Sequence, residues 1–164
     1  MKQVTGQQFQ DALQALGFAT EMFMDRHYFR PSFEWVRIFG QWCRRHPVEY
    51  EPELFDCDNI TEQQVREADH ANRIRTDATN VAKASDHTLV MCIVDIPTGQ
   101  SLNGIAGPAP EQVAATGFDY ARHATGIVWC DDGACYFIER QTGEYTHAQD
   151  AIDRGLCRPV YSRM

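Results

Sequence analysis

The stretch Ala124-Thr125-Gly126-Ile127-Val128-Trp129-Cys130-Asp131-Asp132-Gly133-Ala134-Cys135-Tyr136-Phe137-Ile138 decides the fold. Two apolar runs rich in β-branched and aromatic residues flank an Asp-Gly pair, a strong short-range hairpin signal. The loop permits two registers. With Asp132-Gly133 as a two-residue loop, Cys130 faces Cys135, His123 faces Thr142, and Glu139 points to the opposite sheet face from His123. With Asp131-Asp132-Gly133 as a three-residue loop and Gly133 left-handed, Cys130 pairs with Ala134 and His123 with Gln141. Glu139 then lies diagonally across from His123 on the same face, within reach of a long side chain. One register makes a cysteine pair and the other a polar site; both stay open at the level of sequence.

Upstream, Leu89-Val90-Met91-Cys92-Ile93-Val94 reads as a buried strand by its length and β-branching. Residues 1–50 read as helical. Phe9, Leu13 and Leu16 recur at helical spacing after a start near Thr5 or Gln7, and a second helix from Ser32 carries Phe33, Val36, Phe39, Trp42 and Cys43, with Pro31 marking the break. The segment from Met22-Phe23-Met24 to Tyr28-Phe29 is expected as a buried helix, with a surface for a protein partner as the alternative. A long polar helix follows Phe55-Asp56-Cys57-Asp58-Asn59, with Asp56 and Thr61 as candidate N-caps, Gln64 completing a capping box with Thr61, and an end near Asn80. Val65, Ala68, Ala71 or Asn72, and Ile74 form its inner side. Pro97 to Pro110 reads as a long loop and residues 146–164 as a polar, then basic, tail. Helices, one long helix and then strands give an α+β class in a single domain over 1–164: a helical N-terminal part (1–50), a core (51–145) and the tail.

Composition narrows the function. With 15 basic against 23 acidic residues the net charge is −8 and the pI is near 5.1, which argues against a nucleic-acid partner. The longest apolar run falls far short of the roughly 20 residues of a spanning helix, and the start lacks the apolar core of a secretory signal. A cytoplasmic location without a membrane partner is the expectation. Six cysteines (Cys43, Cys57, Cys92, Cys130, Cys135, Cys157) are too sparse for a disulfide scaffold, leaving free thiols, a metal site or catalysis.

Cys57 stands at the entrance to the long helix, His123 at the head of one strand and Glu139 at the foot of the next. A helix N-terminus and an adjacent imidazolium are two ways of lowering a thiol pKa. The histidine then protonates the leaving group while a carboxylate fixes its tautomer. Asp56 and Asp58 flank the thiol and oppose the thiolate. The Cys57 amide is the natural oxyanion donor. Zinc is a competing chemistry, with Cys130, Cys135, Cys157, His147 and His70 as possible ligands.

Phe55-Asp56-Cys57-Asp58-Asn59, His123-Ala124 and Phe137-Ile138-Glu139-Arg140-Gln141-Thr142-Gly143-Glu144 resemble the papain-like C-terminal domain of the fungal Marasmius oreades agglutinin and its lectin-less relatives in bacteria and phages. The resemblance covers about residues 50–145. It implies a papain-like cysteine peptidase or isopeptidase working through an acyl-enzyme on a protein or peptide substrate, with Cys57 as nucleophile, His123 as base, Glu139 as its orienter and Gln141 in support. The fungal member depends on calcium, for which Asp56, Asp58, Asp95, Asp131 and Asp132 are the available oxygen ligands here; no other cofactor is implied. The helical N-terminal part stands where the fungal protein has a β-trefoil, so sugar binding is not implied. Arg122 stands where a small residue is common and Arg140 where a proline is usual, and a cation beside the base would disfavour its imidazolium. The alternative is a non-catalytic bacterial or phage structural or binding protein, cytoplasmic or virion-associated, whose aromatic N-terminal helices carry the interface.

Overall fold

A computed structural model describes residues 2–21, 27–50, 57–77 and 88–163. Along the chain run β1 (Lys2–Thr5), α1 (Gly6–Ala15), β2 (Ala19–Thr20), β3 (His27–Arg30), α2 (Phe33–Arg45), α3 (Cys57–Asp77), β4 (Leu89–Pro97), β5 (Ser101–Leu102), β6 (Ile105–Ala106), α4 (Pro110–Thr116), β7 (Tyr120–Trp129), β8 (Cys135–Ile138), β9 (Tyr145–His147), α5 (Ala148–Asp153) and β10 (Arg158–Arg163). The class is α+β. A six-stranded sheet in the order β2-β10-β4-β7-β8-β9 is antiparallel except for the β10–β2 pair, and β1–β3 and β5–β6 form two small antiparallel sheets.

The deciding hairpin takes the three-residue loop. Trp129 pairs with Cys135 and Gly126 with Ile138, the Cys130 amide donates to the Ala134 carbonyl at 2.8 Å, and Gly133 has φ 97°, a conformation that favours glycine. Cys130 and Cys135 therefore do not face each other. The sheet is covered on both sides. Val90, Cys92, Val94 and Ile96 of β4 join Ile127, Phe137, Phe9, Leu13 and Tyr28 in one core, whereas Leu89, Val128 and Ile138 join Trp35, Val36, Phe39, Cys43 and Ala68 in the other. Burial of both faces is why β4 reads as a continuous apolar run rather than an alternating one.

Several sequence expectations are corrected. The first fifty residues are not all helical: α1 and α2 are present, but His27–Arg30 is a strand paired with β1. Tyr28 is buried there while His27 is exposed, the period of two that a strand imposes; Met22, Phe23 and Met24 lie outside the described residues. Thr5 does cap α1, completing a capping box with Gln8. Residues 97–110 are not one open loop, because β5 and β6 form a tight hairpin through Asn103 (φ 51°) and Gly104 (φ 84°) before α4 begins. The expected tail supplies α5 and then β10, a strand inside the main sheet between β2 and β4. The ends of the long-helix reading at Asp56 and Asn80, and the side chains of Ala71, Asn72 and Ile74, lie outside the described residues; Ala68 is fully buried as expected.

Candidate active site

Helix α3 brings its first residue, the half-buried Cys57, to β7. Thr61 lies four residues inside the helix and is not its N-cap. Its hydroxyl reaches the Cys57 carbonyl at 2.7 Å and the Ala124 carbonyl at 3.1 Å. One turn on, Gln64 Nε2 donates to the Ile138 carbonyl at 3.0 Å, which also accepts from Thr125 Oγ1 at 3.1 Å. Gly126 lets the helix approach this closely: a Cβ there would sit 2.7 Å from Gln64 Oε1 and 2.9 Å from Leu89 Cδ2.

On the strands, the three-residue loop delivers the diagonal pair. His123 Nε2 and Glu139 Oε2 are 2.7 Å apart, and both residues are buried, at 6% and 2% exposure. The other carboxylate oxygen of Glu139 accepts the Gln141 amide at 3.3 Å. The backbone after Glu139 is folded back on itself, with Glu139 N donating to Glu144 O at 2.8 Å and Gly143 N to Glu139 O at 2.9 Å. Burial alone would lower the His123 pKa; hydrogen bonds with Cys57 and Glu139 and the charges of both outweigh it, raising the value to about 9. The imidazolium is therefore favoured at neutral pH. Because Glu139 occupies Nε2, Nδ1 is the ring nitrogen left for the Cys57 thiol.

The remaining cysteines differ from Cys57 in kind. Cys43, Cys92, Cys130, Cys135 and Cys157 are buried free thiols. Burial pushes Cys43, Cys130, Cys135 and Cys157 up to about 12 and Cys92 well above its ordinary value, so they are inert as nucleophiles at neutral pH. Cys57 alone among the six combines partial exposure with a contacting imidazole.

The two arginines are not cations beside the base. Arg122 pairs with Asp95 through contacts of 3.0 and 3.4 Å. Arg140 turns away from Glu139, donating to Glu67 at 2.6 and 3.2 Å and to the His46 carbonyl at 2.7 Å, with its guanidinium 5.0 Å from the Trp42 ring centroid. Among the described residues no group of three or more His, Cys, Asp or Glu side chains could hold a metal ion. The expected calcium and zinc ligands are thus not assembled there; Asp95 pairs with Arg122, and Asp132 accepts the Ala134 amide at 2.9 Å. Asp56 and the side chain of His70 lie outside the described residues.

Sequence reading named Cys57, His123, Glu139 and Gln141 but missed the structural use of Gln64 and misassigned Thr61. The signal was their spacing: Ile60, Thr61, Gln64 and Ala68 are all buried, so two polar residues share the inward face of an amphipathic helix.

An α+β fold with a helix-terminal thiol beside a buried histidine–carboxylate pair is the class that these elements define. Among solved structures, the chain is similar to the lectin of Polyporus squamosus. A crystal structure of that lectin bound to the human-type influenza-binding epitope Neu5Acα2-6Galβ1-4GlcNAc has 14% identity and a TM-score of 0.58, the match covering 98% of this chain and 49% of the other. A PSL1a–E64 complex has 13% identity and a TM-score of 0.61, covering 98% and 50%. At such identities the likeness is one of fold, and the chain spans about half the length of each neighbour. No family model and no curated protein matches the chain.

Proposed function

We propose that the chain is a papain-like cysteine hydrolase of peptidase or isopeptidase type. The observation that carries this reading is the buried His123–Glu139 pair at 2.7 Å, with Cys57 as the second partner of the same imidazole. The Cys57 thiolate attacks the substrate carbonyl carbon, and the Cys57 amide at the helix start is the candidate donor to the oxyanion. His123 gives its proton to the leaving amine as the C–N bond breaks, leaving a thioester. Neutral His123 then takes a proton from water, whose oxygen attacks the thioester; the C–S bond breaks, releasing the acid and regenerating the Cys57 thiolate beside protonated His123. Glu139, held by the Gln141 amide, keeps the imidazole oriented throughout. The substrate is a protein or peptide, encountered in the cytoplasm or on a virion; no helix among the described residues is long and apolar enough to cross a membrane.

The neighbour's E64 complex supplies a probe, since E-64 is an epoxide that alkylates thiolates. Incubation at neutral pH followed by peptide mass spectrometry should place the adduct on Cys57, slowed in His123→Ala and absent in Cys57→Ala. Labelling of folded protein that does not favour Cys57 over the five buried cysteines overturns the reading. A second reading, a non-catalytic binding protein, draws on Phe33, Ile38 and Trp42 of α2, apolar yet exposed at 39%, 46% and 36%. It predicts that Cys57→Ala leaves biological function and assembly unchanged.

A further inference from the structure

The two buried polar side chains of α3 among the described residues, Thr61 and Gln64, are directed at backbone carbonyls that adjoin the proposed catalytic residues. Thr61 reaches the carbonyl of Ala124, the residue after His123, and that of Cys57 itself. Gln64 donates to the carbonyl of Ile138, the residue before Glu139. These contacts join α3 to two strands and touch the backbone at or next to all three members of the site. We propose that Thr61 and Gln64 are positioning residues that fix the Cys57 thiol against the His123–Glu139 pair. The proposal rests on the catalytic reading above and adds to it what holds the helix in register with the strands.

Packing alone does not account for these residue types. Gln64 is fully buried, yet its Oε1 has no hydrogen-bond partner among the described residues, an arrangement that is costly for a buried amide. Methionine fills a similar volume without an orphaned oxygen, so an apolar side chain would serve packing better. What methionine lacks is the N–H that reaches Ile138. Thr61 poses the same contrast with valine, which has its shape without the hydroxyl whose single proton lies between two carbonyls. A displacement of about 1 Å at a reacting group is enough to cost of the order of a hundredfold in rate, so these bonds matter more to reactivity than to folding.

The test compares Thr61→Val, Thr61→Ser and Gln64→Met in the full chain. Three quantities are read: the rate of Cys57 alkylation by iodoacetamide against pH, the His123 imidazole titration by NMR, and thermal melting. The expected result is a folded Gln64→Met with undiminished melting temperature. In it and in Thr61→Val, alkylation at neutral pH falls about tenfold or more and the His123 titration moves down, while Thr61→Ser keeps the wild-type profile. Folded variants with wild-type rate and titration overturn the proposal, as does loss of the fold in both Thr61→Val and Gln64→Met, which would make the contacts structural. Failure of the catalytic reading looks different, because wild-type Cys57 would then alkylate as an ordinary thiol. The His123 titration alone decides positioning in that case: a downward move in the two variants supports it, and an unmoved titration overturns it.

Discussion

Replacing Glu139 with glutamine removes the carboxylate from a nearly isosteric side chain and leaves His123 buried without its anionic partner. In the wild-type protein the His123 pKa is raised from 6.5 to about 9. A folded-state value above the unfolded one contributes stability that is fully present below about pH 6.5 and is lost as pH rises through about 9. At 1.36 kcal/mol per pKa unit the contribution is about 3 kcal/mol. In Glu139→Gln the hydrogen bond and charge of the carboxylate are lost while those of Cys57 remain, so the histidine titrates below its wild-type value and this loss shrinks. Urea denaturation followed by tryptophan fluorescence across the neutral to mildly alkaline range measures it. The buried cysteines also weaken the fold at high pH, because they ionise more readily when unfolded, but both proteins share them. The difference between the two curves therefore isolates the share of the His123 shift that Glu139 supplies, and the wild-type advantage should shrink by up to about 3 kcal/mol as pH rises through the window. Parallel curves, or a wild-type imidazole that titrates by NMR at or below 6.5, would refute the account of this pair.

Four further outcomes are expected. Cys57→Ala should abolish E-64 adduct formation and any peptide hydrolysis while leaving the thermal melt close to wild type, since Cys57 is only half-buried. Gly40→Ala should destabilise by about 1–3 kcal/mol in chemical denaturation, because the added Cβ would lie 2.6 Å from the Gly143 carbonyl oxygen, a backbone atom of the turn that follows Glu139. Arg140→Leu should cost roughly 3 kcal/mol, stranding Glu67 and the His46 carbonyl, with no rescue by lysine, whereas Arg122→Ala should leave the His123 titration where it was.

How much of this was legible in the sequence depended on how locally each element is determined. The strands β4, β7 and β8 and the helices α1 and α2 follow from periodicity and capping. The hairpin register did not, because Asp131-Asp132-Gly133 suits both loop lengths. What accompanies the three-residue form comes from a hundred residues earlier: Arg30 Nε donates to the Cys130 carbonyl at 2.8 Å, and the Asp131 amide donates to the Pro31 carbonyl at 2.8 Å. Strand β10 was hidden by Pro159, since proline argues against an interior strand. The structure accommodates it with a register shift between Pro159 and Tyr161 in the pairing with β4. Strand β3 was hidden by its large aromatic residues, which a helix could bury equally well.

Arg140 illustrates why adjacency in sequence misleads about electrostatics. Next to Glu139, it reads as a cation at the site. Glu139, however, follows the end of β8 and Arg140 opens the turn that doubles the backbone back, so the two side chains diverge. Glu139 turns to His123, while Arg140 enters the space between α2 and α3, where Glu67, two backbone carbonyls and the Trp42 ring meet its guanidinium. Its charge is neutralised on the helix side and does not figure among the influences on the His123 titration. The same residue thus anchors the turn that carries Glu139 without opposing the imidazolium. A proline at this position would lack that anchor, and the chain would need another contact to hold α2 and α3 against the turn.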